Sequence, residues 1–165
     1  MFRKVEDFVA EWPVESKATL KVLRTLTDAS LQQRVGPEGR SLGRLAWHIT
    51  QSIPEMMNRV GLSLQEPAED APIPEHAADI ASAYERAADE VLEQVRAWQD
   101  ARLAETVDMY GDRWANGLTL EVLIRHQTHH RGQMTVLMRQ AGLAVPGVYG
   151  PAREEWVAYG MAPQE

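Results

Sequence analysis

Three of the chain's five histidines fall in the stretch Arg125-His126-Gln127-Thr128-His129-His130-Arg131-Gly132-Gln133. His126 and His130 are spaced i, i+4, so on a helix both rings leave the same face about one turn apart. Helices present two imidazoles to one metal ion with this spacing, as in the zincin motif. The glutamate of that motif would fall at position 127, which is Gln127, so zincin chemistry is disfavoured.

Facing decides more than spacing. At about 100° per residue, Leu120, Leu123, Met134, Leu137 and Met138 define an apolar arc centred on Leu123 and Met134. His130 lies inside the arc and His126 at its edge, whereas His129 projects roughly 120° from the centre. Gln133 stays close to His126 in projection. Two imidazoles make a weak site, and His48 is the third ligand that a helix holds rigidly, because His76 lies in a Pro-rich connection. His48 borders the apolar stripe of its own helix, on the flank of Ser52 and Glu55. A histidine at such a border ordinarily packs or hydrogen-bonds, and surface H-x-x-x-H pairs bind metal only adventitiously. Interior-facing imidazoles differ, because a buried polar group left unpaired costs free energy. The expected ligands of one divalent ion are therefore His48, His126 and His130. Three neutral imidazoles leave positions open for water or substrate, as catalytic metals require.

The elements that must hold these residues follow from hydrophobic period and punctuation. Val14 to about Leu26 predicts a helix with Pro13 in its first turn, and Phe2 to Trp12 a separate short helical lead-in. Gly36-Pro37-Glu38-Gly39 marks a turn. Ser41 is placed as the N-cap of a second helix carrying Leu42, Leu45, Ile49, Ile53, Met56 and Val60, with Pro54 kinking it or ending its first half. Residues 61–76, with three prolines and interspersed acids, form a long connection. Ala78 to about Ala101 is a third helix, Tyr110-Gly111-Asp112 and Asn116-Gly117 bracket a loop or turn, and about Thr119 to Gln140 is a fourth helix ending at Gly142. A short helix near Ala152 to Tyr159 follows. No strand-like alternation of useful length stands out. The expectation is an all-α four-helix bundle with a long crossover connection and short terminal helices, one domain over residues 1–165.

Composition narrows the function. The net charge of −7 argues against nucleic acid as a partner. Without cysteine, disulfides, thiolate nucleophiles and Cys-based zinc sites are excluded. Glu6, Asp7 and Glu11 stand where a signal peptide needs an apolar stretch, and no run approaches the about 20 apolar residues of a membrane span. The expected location is the cytoplasm, with no membrane partner.

Leu45-Ala46-Trp47-His48-Ile49, then His126 to Gln133, then Pro146-Gly147-Val148-Tyr149-Gly150 resemble the DinB superfamily of damage-inducible helical-bundle proteins, in order and across nearly the whole chain. The His129-His130-Arg131-Gly132-Gln133 element is the most specific part. The resemblance implies a bundle of unusual helix order and a metal on one His of the second helix and two of the last, which are His48, His126 and His130 here. It also implies a homodimer, zinc or nickel as the typical metal with iron or manganese as alternatives, and a thiol-dependent transferase or isomerase using a small thiol such as bacillithiol or mycothiol. The leading expectation is a metal-dependent S-transferase joining such a thiol to a small electrophilic substrate. His129, Gln133 and Glu55 are candidates for hydrogen bonding or proton transfer, Trp47 is a pocket wall or packing, and Pro146 to Trp156 is expected to line the site mouth, with Tyr149 as a substrate contact. Two alternatives stand beside it: a noncatalytic, dimeric metal-binding stress-response or interaction protein, and a metal-assisted hydrolase.

Overall fold

The structure is a computed structural model that describes residues 1–65, 67 and 71–163. Glu66, Ala68, Glu69 and Asp70 of the connection fall outside the described residues, as do the last two positions. Four long helices dominate: α1 (Val5–Leu23), α2 (Leu42–Arg59), α3 (Ala77–Arg96) and α4 (Asn116–Gln140). Short 3-10 turns occupy Asp28–Gln32, Asp100–Ala104 and Arg153–Tyr159.

Around the bundle the helices run in the order α1, α3, α2, α4, with α4 closing on α1. Paired residues give the directions. Phe2 meets Gly117 and Glu15 meets Arg131, so α1 and α4 are parallel. Trp12 meets Ala88 and Val5 meets Asp100, so α1 and α3 are antiparallel. Leu45 lies by Leu137 and Ile49 by Gln127, so α2 is antiparallel to α4 and therefore runs the same way as α3; the chain between these two helices must return along the molecule, as a crossover does. The core consists of Phe8, Trp12 and Leu23 from α1, Leu42, Ile49, Ile53 and Met57 from α2, Ile80, Tyr84 and Val91 from α3, and Leu120, Leu123, Met134 and Met138 from α4. Ser41 caps α2 as expected, its hydroxyl accepting the Arg44 N–H at 3.1 Å, and Gly142 ends α4 in the left-handed conformation.

The chain departs from the sequence expectation at four places. Phe2 to Trp12 is not a separate lead-in, because α1 runs through Pro13. A proline inside a helix costs about 3 kcal/mol. Phe8 and Trp12 before it share one buried face with Glu15, Ser16, Thr19 and Leu20 after it. Burying two aromatic side chains, about 1.5–3 kcal/mol each, offsets that cost. Pro54 lies within α2, which continues to Arg59, so of its two expected effects the ending of the first half does not occur. Helix α3 stops at Arg96 rather than near Ala101, because Asp100 turns back to accept the Val5 N–H at 2.8 Å, satisfying an orphan donor at the start of α1.

Strands are also present. A hairpin, β1 (Thr106–Met109) paired antiparallel with β2 (Asp112–Ala115), stands where a loop or turn is expected, and its strands are the unexpected part. Its two-residue turn, Tyr110 at φ 60° and Gly111 at φ 85°, has the positive angles of a type I′ turn, whose twist matches that of the strands. Helix α4 then begins at Asn116, not Thr119. Gly117 fits in its first turn because the backbone of Phe2 lies against it: a Cβ there would come within 2.2 Å of the Phe2 carbonyl oxygen.

Candidate metal centre

The ring order sets α2 beside α4, and their antiparallel register brings His48 against the His126–His130 face. The three ring centroids are 4.5–4.9 Å apart. One nitrogen from each ring can be chosen so that all three lie within 4.8 Å of one another. His48 Nε2 and His126 Nε2 are 3.1 Å apart. His130 Nδ1 donates to Gln133 Oε1 at 2.8 Å, which directs the proton to Nδ1 and leaves Nε2 as a lone-pair donor. The Gln133 amide in turn donates from Nε2 to His129 Nε2 at 3.2 Å. His129 itself is exposed at the rim, its ring 4.8 Å from that of His130.

The helix pair is pinned by a residue that spacing alone passed over. Gln127 is buried, and its amide donates to the Ile49 carbonyl at 2.8 Å, one residue from His48. Its signal was the uncharged polar residue on the apolar side of α4, next to His126.

Burial lowers the affinity of all three rings for protons. His48 is held at about 4, first by burial and then by the charges of His130, Arg40 and Arg44. His126 is also held at about 4, by burial and by the neighbouring imidazoles. His130 is lowered by burial, against a partial opposing effect of Gln133. Neutral imidazole is the ligating form, so at neutral pH the set is ready for a cation. His126 Nδ1, buried and without a partner among the described residues, is a further sign that this ring is not placed for protein hydrogen bonding. These observations fit a divalent ion held by imidazole nitrogen.

A pH dependence follows for the metal-free protein. Unfolded histidines take up protons near pH 6.5, the folded rings only near 4. Between these values the unfolded state holds more protons, so stability falls as pH falls. The urea midpoint is expected to drop from pH 6.5 to about 4, and to drop less in a His48→Gln/His126→Gln double variant. His76, raised by its contact with Asp28, changes stability above pH 6.5, so it leaves this window unaltered in both proteins.

Glu55 is not part of the cluster. It accepts the Tyr110 hydroxyl at 3.0 Å, two turns along α2 from His48, so the hairpin has taken it. Among the described residues no carboxylate joins the three imidazoles. The centre opens instead on a cleft of about 390 Å³ lined by Val35, Gly39, Arg40, Leu45, His130, Gln133, Val136 and Leu137. Of these, Val35, Arg40 and Val136 were absent from the sequence expectation, since a loop before α2 and an exposed valine carry no periodic signal. Trp47 faces the other way, into a cavity between α2 and α3 lined also by Thr50, Pro54, Ala83 and Ala87.

Tyr149 is not a cleft residue either. Its hydroxyl donates to Glu15 Oε2 at 2.7 Å and also meets Arg131 and Thr128. The segment after Pro146 is fastened by it to the α1–α4 face, where the buried Arg131–Glu15 ion pair needs further hydrogen bonds.

A four-helix bundle with three converging histidines beside an open cleft defines a class of helical proteins able to hold a metal ion. The chain belongs to the DinB family, whose model matches residues 1–165. It is 45% identical over 162 residues to Uncharacterized protein YrdA of Bacillus subtilis (strain 168), covering 98% of this chain and 97% of that one. A DinB-like protein from Bacillus cereus ATCC 10987 of known crystal structure is 43% identical, with a TM-score of 0.86 over 90% of this chain and 100% of the other. The DinB-like YjoA of Bacillus subtilis superposes with a TM-score of 0.68 at 15% identity, over 86% and 97% of the two chains, which is a likeness of fold. No helix among the described residues is long and apolar enough to cross a membrane.

Proposed function

We propose that the protein is a metal-dependent S-transferase that joins a small-molecule thiol, such as bacillithiol, to an electrophile in the cytoplasm, with His48, His126 and His130 as the metal ligands. The observation that carries this reading is the convergence of three neutral imidazoles, with no carboxylate among the described residues closing the set, at the mouth of an apolar cleft. Zinc or nickel suits imidazole donors best among the metals considered. Such an ion supplies Lewis acidity that favours the ionised form of a bound thiol.

The chain's own residues do the rest. It has no cysteine, so the sulfur must arrive on the cofactor. Gln133 fixes the His130 ring. Arg40 and Arg44 add positive charge that stabilises a thiolate over a thiol. Val35, Leu45, Val136 and Leu137 offer an apolar wall to the electrophile. In the transfer, sulfur forms a bond to carbon while the carbon–halogen bond breaks and halide leaves. The thiol proton passes to solvent or to His129 at the rim. A hydrolase lacks support, because no carboxylate base stands beside the imidazoles among the described residues.

Metal-loaded protein, bacillithiol and a chromogenic aryl halide are expected to give conjugation that disappears on metal removal and in His126→Ala. Failure across several small thiols would sink the transferase assignment and leave a noncatalytic metal-binding protein. Elemental analysis of untagged protein identifies the ion. Light scattering tests the accompanying homodimer, expected at twice the 18.5 kDa chain mass.

A further inference from the structure

The cleft beside His130 has one feature that metal binding does not use. Its walls are the apolar side chains of Val35, Leu45, Val136 and Leu137, and among them stands a single cation, Arg40. Arg40 makes no hydrogen bond or ion pair among the described residues. Some arginines of the molecule are paired, as Arg24 is with Glu85 and Arg131 with Glu15, while others, Arg44 among them, are exposed and free among the described residues like Arg40; its place at the cleft is what sets Arg40 apart. Arg40 is exposed, and it stands at the edge of a concave apolar cavity in a chain of net charge −7.

Its position is built. Arg40 immediately precedes Ser41, the N-cap of α2. The loop before it is closed by Gly39 N–H to the Gly36 carbonyl at 3.1 Å and Leu42 N–H to the Gln33 carbonyl at 2.8 Å. Arg34 donates to the Gly39 carbonyl at 2.5 Å. The backbone that carries Arg40 is therefore fixed, which lowers the entropy lost when a ligand is gripped.

We propose that Arg40 is the anion-recognition residue of this cleft, so that the molecule accepted there carries a carboxylate-type anionic group on an apolar body. A guanidinium fork matches a carboxylate bidentately, while the neighbouring walls take apolar atoms. The proposal deepens the transferase assignment by naming the class of molecule its cleft receives. It rests on that reading for the purpose of the site but not for the binding itself.

The test is calorimetric titration of octanoate, octanol and octylamine, which share one tail and differ in head-group charge, into metal-free and zinc-loaded protein. Octanoate is expected to bind at least about tenfold tighter than octanol, the scale of one charge-assisted hydrogen-bonding contact, with octylamine weakest, and to keep that preference without metal. Arg40→Met, which retains an apolar stem, is expected to reduce octanoate to the level of octanol and leave octanol unchanged. Val136→Trp, at an exposed wall position, is expected to weaken octanoate and octanol together. Equal binding of octanoate and octanol overturns the proposal. So does octanoate binding that vanishes with the metal and ignores Arg40→Met, since the carboxylate would then sit on the ion. Octanoate discrimination that survives while thiol conjugation fails removes the transferase assignment and supports this inference.

Discussion

His126→Ala is expected to lower the affinity for zinc by about 10²–10³-fold while leaving the metal-free fold within about 1 kcal/mol of the parent. Structural zinc sites with four protein ligands bind with apparent free energies of about 10–16 kcal/mol, or roughly 3–4 kcal/mol for each ligand. Removing one of three leaves His48 and His130, whose rings are too few to hold the ion in competition with a chelator. The fold is expected to tolerate the change because His126 sits at the half-buried border of α4 and its Nδ1 has no partner to lose among the described residues. Titration against a chromogenic chelator, with urea denaturation of the metal-free proteins, separates the two effects. A full loss of stability without metal would mean that the ring is a packing element. Unchanged zinc affinity would remove it from the ligand set.

Arg131→Met is expected to destabilise the protein by about 3–5 kcal/mol, the cost of stranding a buried charge. The Arg131 guanidinium is almost completely buried between α1 and α4. It donates to Glu15 Oε2 at 2.8 Å, to the Glu15 carbonyl at 3.1 Å and to Thr19 Oγ1 at 3.0 Å, with Tyr149 stacked against it at 5.0 Å. Without the cation, the Glu15 carboxylate keeps only the Tyr149 hydroxyl in surroundings that water scarcely reaches. Replacing both partners, Glu15→Leu with Arg131→Met, is expected to recover most of the loss, since an apolar pair carries no stranded charge. Urea denaturation of the single and double variants checks this, and a double variant as unstable as Arg131→Met alone would place the cost in packing.

These two experiments probe different faces of α4, at His126 and at Arg131. The His face was legible in the chain itself. An i, i+4 pair fixes which rings share a side, and the apolar residues on either end fix which side is interior. The Arg face was not. Arg131 and Glu15 are 116 positions apart, and nothing local to either marks the other. The same holds for Gln127 and Ile49, and for Arg40 and Val136, which meet only at the cleft. The hairpin was missed because four-residue strands are too short for alternation to rise above chance. The early break at Pro13 was mistaken because backbone preference was weighed without the burial of Phe8 and Trp12.

The amino-acid order by itself determined the four helices, the Ser41 cap, the end at Gly142 and the inward facing of His126 and His130, because helical period and capping are properties of a few neighbouring residues. Only the tertiary structure decided that α2 lies beside α4 and antiparallel to it. That arrangement sets His48 against the other two rings, gives Glu55 to Tyr110 and opens an arginine-edged cleft. Which helix neighbours which is settled by how all four apolar stripes are buried at once, a condition that no single segment contains.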